Sequence, residues 1–128
     1  MNHNAHGKHR DPAPVVRDCG RLCEDLERRF RTDPGVLVRR ICDEALSLLA
    51  DLTLAVKGRD VDRHLEDADD RLIKLRAWIG LAGSTELLTQ SGLLALLELC
   101  DAIGRQIGGW QRQRDQVDGR AAGPEARS

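Results

Sequence analysis

The sequence predicts an all-α protein, an antiparallel up-down four-helix bundle, on three observations. Apolar residues recur at steps of three and four along four segments, which is the period of one buried helix face. The four prolines, Pro12, Pro14, Pro34 and Pro124, lie outside those segments. One Phe, two Trp and no Tyr leave a core of Leu, Ile, Val and Ala, which suits packed helices. Short connections make consecutive helices antiparallel.

The first two helices are predicted over residues 15–31 and 34–57. At the start of the second helix, Asp33 offers an N-cap oxygen and Pro34 a preset first helical dihedral. Gly58 is expected to end the second helix in the left-handed conformation. The apolar stripes of these helices are Val15, Cys19, Leu22 and Leu26, and then Val38, Ile41, Ala45, Leu48, Leu52 and Ala55.

The third and fourth helices are predicted over residues 60–82 and 89–111. Asp60 and Thr89 are the expected N-caps, and Gly83 and Gly109 are the expected stops. The third stripe is Val61, Leu65, Ala68, Leu72, Leu75, Ile79 and Ala82. The fourth stripe is Leu93, Leu96, Cys100, Ile103, Ile107 and Trp110.

The end of the fourth helix carries a glycine motif made of Gly104, Gly108, Gly109 and Trp110. A glycine inside a helix costs about 1 kcal/mol relative to alanine. Another helix is expected to pack closely against Gly104 and Gly108, and this packing would offset the cost of the two glycines. Trp110 is interpreted as a core aromatic or as a plug at the end of the bundle.

The 128 residues allow one domain, assigned to residues 15–114, with disordered polar tails over 1–14 and 115–128. Apolar runs fall short of the roughly 18 residues that a membrane span needs. The N-terminus also lacks the apolar centre of a signal peptide, so a cytoplasmic location is expected.

The sequence predicts no catalytic site, metal or cofactor. The cysteines lie at helical apolar positions and are expected to be buried, reduced thiols, although Cys19 and Cys23 have the spacing for half a metal site. A di-iron bundle needs Glu-x-x-His pairs, and the sequence contains none. His64 has no recognisable nucleophile as a partner and is expected at the surface.

Further apolar residues lie partly outside the stripes and favour self-association. These residues are Leu37, Leu46, Leu49, Val56, Ile73, Trp78, Leu81, Leu87, Leu94 and Leu97.

Between Leu22 and Trp110 the chain resembles the accessory variability determinant (Avd) proteins of diversity-generating retroelements. These belong to a wider four-helix-bundle group that includes proteins encoded in 23S rRNA intervening sequences. The resemblance lies in the helix start at residues 59–60, in segments 65–69, 72–76, 81–82 and 87–89, and in residues 103–105 followed by 108–110.

The resemblance implies a non-enzymatic protein that assembles into a barrel-shaped homopentamer. It also implies binding to the retroelement's reverse transcriptase and to nucleic acid, the template RNA, during mutagenic copying. Lys74, Arg76 and Arg105 match basic positions of the family pattern and are therefore candidate contacts.

The charge of the chain departs from the basic character expected of a nucleic-acid-binding relative. Twenty Lys and Arg stand against 21 Asp and Glu, so phosphate binding would need a segregated basic patch. Such a patch is predicted around the connection between the first and second helices, which several arginines flank. The end of the third helix is expected to bring Arg76 toward this patch. The residues of this arginine end are Arg28, Arg29, Arg31, Arg39 and Arg40, and Arg112 and Arg114 beyond Trp110 are further candidates.

The competing interpretation is that the charges form solvated helix faces with ordinary ion pairs, such as Glu66 with Arg71. The protein would then be an oligomeric helical scaffold without nucleic-acid binding.

Overall fold

The computed structural model describes residues 13–31 and 35–122, which form four α-helices and no strand. The helices are α1 (Ala13–Arg29), α2 (Val36–Val56), α3 (Val61–Ser84) and α4 (Gln90–Ala122). Consecutive helices contact one another, α4 closes against α1, and the most extensive contact joins α2 to α3. The predicted all-α four-helix bundle is confirmed.

Contacts across the bundle show that neighbouring helices run antiparallel. Asp18, early in α1, accepts a 2.7 Å hydrogen bond from Gln106, midway along α4. At the other end of the same pair, the Arg29 guanidinium lies over Gly92, near the start of α4. The topology is therefore up-down-up-down.

The core consists of the predicted stripes. Val61, Leu93 and Trp110 are half-buried and pack against this core, and every other predicted stripe residue is buried. Phe30 joins the buried cluster from the turn after α1, a position that the stripe did not include. Burial of whole stripes at 3–4 spacing gives each helix a fixed inward face.

The three predicted caps within the described residues lie where the sequence predicts them, but Asp60 makes no capping hydrogen bond. Gly58 follows α2 with φ +83°, the left-handed conformation that favours glycine. Thr89 Oγ1 accepts a 3.1 Å hydrogen bond from the Gly92 amide. Asp60 precedes α3 with φ 45°, and its carboxylate accepts from Arg63 at 3.2 Å instead of capping an amide. A left-handed residue departs from the extended backbone from which N-caps normally bond. Asp33 and Pro34 lie outside the described residues, and Gly35 is the N-cap of α2.

The helix ends differ from the predictions. Helix α3 passes through Gly83 to Ser84, and α4 passes through Gly109 to Ala122. The predicted stops and the predicted tail are therefore wrong through residue 122. An interior glycine costs only about 1 kcal/mol, and the Gln- and Arg-rich segment after Trp110 favours a helix. Helix α1 begins at Ala13, so Pro14 occupies the first turn, where proline is tolerated. The other predicted tail residues, 1–12 and 123–128, lie outside the described residues.

Replacing Thr89 with Ala is expected to lower the free energy of unfolding by about 1 kcal/mol, because the Gly92 amide loses its acceptor. Urea denaturation at fixed protein concentration measures the change. Ser91→Ala is the matched control, and it is expected to change the same free energy by less than about 0.5 kcal/mol. Equal effects of the two substitutions would show that the cap contributes nothing.

Candidate functional site

The arginine end is not a uniform basic surface. Arg28 and Arg29 both donate to Asp25, at 2.8 and 3.1 Å. Arg29 also packs so closely on Gly92 that a Cβ there would lie 2.8 Å from its Nη1. Arg29 therefore helps to join α1 to α4, and both arginines share their charge with Asp25.

The remaining members of the arginine end are exposed. Arg31 and Arg40 make no ion pair within the described residues. The half-buried Cys42 has a raised pKa because of burial and because Glu27 and Asp43 lie near it. Acids from both α1 and α2 are thus interspersed with the arginines. Few cationic side chains at this end are therefore available to a ligand, and acidic side chains lie among them.

Arg76 does not lie at the arginine end, contrary to the prediction. It precedes the last residue of α3 by eight residues, about 12 Å along the axis. It pairs with Asp101 in the middle of α4. Because a helix turns by about 100° per residue, Lys74 points away from Arg76, toward α2, where it pairs with Glu44 at 3.2 Å. The structure therefore separates two of the three basic positions carried by the resemblance.

A groove of about 410 Å³ between α3 and α4 brings Arg76 and Arg105 together. Arg105 is exposed and makes no ion pair among the described residues, so its guanidinium is available to a ligand. The groove lining is Asp69, Leu72, Ile73, Arg76, Cys100, Asp101, Gly104 and Arg105. Burial raises the pKa of the Cys100 thiol to about 11, so this thiol is neutral near pH 7.

The glycine motif contributes to this groove through one member. A Cβ on Gly104 would lie 3.2 Å from Leu72 Cδ2, so the predicted close approach of another helix is confirmed there. At Gly108 and Gly109 the nearest atoms belong to Arg112 of the same helix, so that prediction is wrong for Gly108. Trp110 is half-buried and packs against the core within a continuous helix, which agrees with its interpretation as a core aromatic.

The two arginines beyond Trp110 lie far from the arginine end. Arg114 pairs with Asp62 at the start of α3, which ties the extended part of α4 to the bundle. Arg112 is exposed beside Gly108. The predicted contact residues therefore occupy several separate surfaces.

A polar cluster between α2 and α3 was missed in the sequence. Arg71 Nε donates to Asp51 Oδ2 at 2.7 Å, and Arg71 Nη1 donates to Glu44 Oε2 at 3.1 Å. His64 Nδ1 lies 2.9 Å from Asp51 Oδ1. Asp51 and Glu44 are buried and His64 is half-buried, so the surface position expected for His64 is wrong. Arg71 turns inward instead of pairing with Glu66.

The spacing of this cluster explains its geometry. Glu44 and Asp51 are seven residues apart on α2, and His64 and Arg71 are seven apart on α3. Seven residues are close to two helical turns, so each pair shares one face. Antiparallel packing then sets Glu44 opposite Arg71 and Asp51 opposite His64. The two pairs with seven-residue spacing, acidic on α2 and basic on α3, are the sequence pattern from which this cluster could be predicted.

Electrostatics in the cluster favour the charged form of Arg71. Its pKa is raised because Asp51 accepts its hydrogen bond, with further stabilisation from the charge of Glu44. A raised pKa means that the favourable contribution is present below the pKa of the unfolded chain and is lost only as pH rises through the folded value. Both values lie far above neutrality, so Arg71 adds no pH dependence to stability near pH 7.

One group in the described structure has the donors for a metal ion. The ligand atoms of Asp51, His64 and Asp67 all lie within 4.8 Å of one another. His64 and Asp67 are three residues apart on α3, and Asp51 faces them from α2.

The cysteines are all free, but only Cys19 and Cys100 are buried. A hydrogen bond with Cys19 lowers the pKa of Cys23 and raises that of Cys19. The prediction of buried thiols is therefore correct for two, and Cys23 and Cys42 are half-buried.

In the folded protein, iodoacetamide near neutral pH is expected to modify Cys23 first. Its lowered pKa gives it the larger thiolate fraction, whereas Cys19 and Cys100 are buried with raised pKa values. Peptide mass mapping over time, with and without urea, measures the order. Labelling of Cys100 as fast as that of Cys23 without urea would contradict this order.

Several apolar side chains outside the stripes are exposed, whereas Leu37, Leu49, Trp78 and Leu97 pack against the core. The exposed members of the predicted set are Leu46, Ile73, Leu81, Leu87 and Leu94. Val36, Leu54 and Val117 are exposed as well. Helix α3 thus presents Ile73 and Leu81 outward, on the side away from its buried stripe.

Comparison with known proteins identifies one sequence family. A family model described as bAvd-like matches residues 25–114, most of the bundle. No curated protein and no solved structure matches the chain. Within the described residues, no helix is both long and apolar enough to cross a membrane.

Proposed function

This chain belongs to the bAvd-like family, and we propose that it is a non-enzymatic accessory protein that binds the reverse transcriptase and template RNA of a diversity-generating retroelement. The family match over residues 25–114 carries this proposal. The family is one of accessory proteins of these retroelements, which supports a role beside a polymerase rather than catalysis. A cytoplasmic location accompanies the role.

The proposed RNA contact is the α3/α4 groove. Arg76 of α3 and Arg105 of α4 line it, and two cations in one groove can hold phosphates of one strand. Arg105 makes no ion pair among the described residues, so it can engage phosphate without breaking an internal contact. Asp101 and Asp69 in the same lining make binding weak and sensitive to salt.

The proposed polymerase contact is the arginine end. Its mixture of exposed arginines and acids suits a protein surface with paired charges better than a phosphate backbone. Arg31, Arg39 and Arg40 are its exposed members near the start of α2. Lys74, Arg112 and Arg114 remain proposed contacts on separate surfaces. Arg29 contributes mainly by packing on α4, and Arg28 is paired with Asp25 on its own helix.

The assembly we propose is a homopentamer. The exposed apolar residues of α3 and α4 support association, because burial against a second copy removes them from water. Light scattering of the purified protein is expected to give five times the chain mass of 14.2 kDa. A mass of one or two chains would contradict the pentamer.

An oligomeric scaffold without nucleic-acid binding is the second candidate. The near-neutral charge favours it, because a pentamer of this chain carries net negative charge and repels phosphate at long range. Self-association is common to both candidates. RNA binding separates them.

Charge reversal tests the proposed contacts. Arg105→Glu is expected to weaken binding of template RNA, measured by fluorescence anisotropy at low salt, by about tenfold, because a phosphate contact becomes a repulsion. Arg31→Glu with Arg40→Glu is expected to reduce capture of the reverse transcriptase and to leave RNA affinity nearly unchanged. Arg17→Glu, on the exposed part of α1, is the control with the same charge change. RNA affinity that is equal in Arg105→Glu and Arg17→Glu would remove the groove from the proposal.

A further inference from the structure

We propose that Asp51, His64 and Asp67 form a binding site for a divalent cation of the Mn²⁺ type. The site joins α2 to α3, the most extensively packed pair of helices, and is separate from the proposed RNA and polymerase contacts. The sequence alone predicted no metal site, because the three residues come together only through the packing of the two helices.

The donors have the arrangement that a metal ion requires. Metal bonds to oxygen or imidazole nitrogen are about 2.1 Å long, so donors of one ion lie within about 4 Å of each other. His64 Nδ1 and Asp51 Oδ1 are already 2.9 Å apart, and the Asp67 oxygen is within 4.8 Å of both. A side-chain movement of less than about 1 Å closes the set, and the half-buried Asp67 is able to make it.

The neighbouring cations orient the donors without neutralising all of them. Arg71 holds Asp51 through Oδ2, which fixes the carboxylate and leaves Oδ1 directed at His64. Carboxylates that bind metal ions are commonly oriented by a hydrogen bond of this kind from a neighbouring residue. Arg63 lies 3.8 Å from Asp67, but its side chain is 66% exposed and also bonds Asp60, so it is free to move aside.

The donor chemistry selects the class of ion. One imidazole nitrogen with two carboxylate oxygens suits Mn²⁺ and similar borderline or hard divalent ions, with water filling the open positions. Asp51 and Asp67 supply two carboxylates to the ion, while Glu44 pairs with both Arg71 and Lys74 beside the site. Coordination through Nδ1 uses the neutral His64 tautomer with its proton on Nε2.

Mn²⁺ binding to the full chain tests the proposal. The background variant carries His3→Ala, His6→Ala and His9→Ala, because the N-terminal histidines offer competing imidazoles. Mn²⁺ is the probe because it has little affinity for the four thiols. Electron paramagnetic resonance of free Mn²⁺ is expected to show one saturable ion per chain, and bound Mn²⁺ is expected to raise the Tm.

Three substitutions in that background locate the ion. His64→Gln and Asp67→Asn are each expected to raise the Kd by at least about tenfold, because the first removes the imidazole nitrogen and the second replaces a charged carboxylate donor with a neutral amide. Asp70→Asn changes the same charge at an exposed residue on α3 outside the donor set, and its Kd is expected to match the background. Absence of saturable binding in the background overturns the proposal, as does a Kd in His64→Gln or Asp67→Asn equal to that in Asp70→Asn.

Discussion

Replacing Arg71 with Met is expected to lower the free energy of unfolding by about 3 kcal/mol, because it leaves the buried Asp51 without its guanidinium partner and the buried Glu44 with Lys74 alone. Asp51 and Glu44 have side chains only 10% and 11% exposed, and both bond to Arg71. In this variant His64 still lies beside Asp51 and Lys74 beside Glu44, and the Arg71 side chain that is removed is 31% exposed. The expected loss of stability is therefore at the lower end of the range for breaking a buried ion pair.

Urea denaturation of Arg71→Met and Arg63→Met measures this effect. Arg63 also has two acidic partners, Asp60 and Asp67, but its side chain is 66% exposed. Exposed pairs contribute less than about 1 kcal/mol, so Arg63→Met is expected to change stability little. A loss in Arg71→Met no greater than that in Arg63→Met would show that the cluster does not hold α2 against α3.

Replacing Leu48 with Ala is the second large effect, a loss of about 2 to 5 kcal/mol. Leu48 is fully buried in the middle of α2, and its truncation removes apolar contacts and leaves a cavity that close packing fills only in part. The midpoint of urea unfolding is expected to fall accordingly.

Leu46→Ala is the matched control for Leu48→Ala, since it makes the same change two residues away on α2. Its side chain is 56% exposed, so the expected loss within one subunit is less than about 0.5 kcal/mol. Denaturation at two protein concentrations separates a subunit effect from an effect on assembly. A similar loss for both leucines at both concentrations would contradict the assignment of the core face.

The fold was predictable because each helix carries its own local signal. Leu22, Leu52 and Leu75 are buried where the 3–4 spacing placed them, and that spacing needs no knowledge of neighbouring helices. Helix ends were less predictable. Gly109 looked like a stop, yet α4 continues because the residues that follow favour a helix more than one glycine opposes it.

The polar contacts were not predictable from single segments, since they depend on how far one helix is shifted along another. Arg71 looked like a partner for Glu66 on its own helix, but packing against α2 offers two buried acids. Arg76 looked like part of the arginine end, and its position along α3 sets it beside Asp101 instead. The metal-type donor set also depends on how α2 and α3 are shifted along each other, because its residues come from both helices, so no single segment predicts it.

The most direct test of the accessory role is capture of the purified protein by the reverse transcriptase of the proposed retroelement, with and without template RNA, over a salt titration. We expect the polymerase to retain the protein at salt concentrations that abolish general charge attraction, because the proposed contact is specific. Failure to capture either polymerase or RNA even at low salt would contradict the accessory role and leave a four-helix bundle with a different partner.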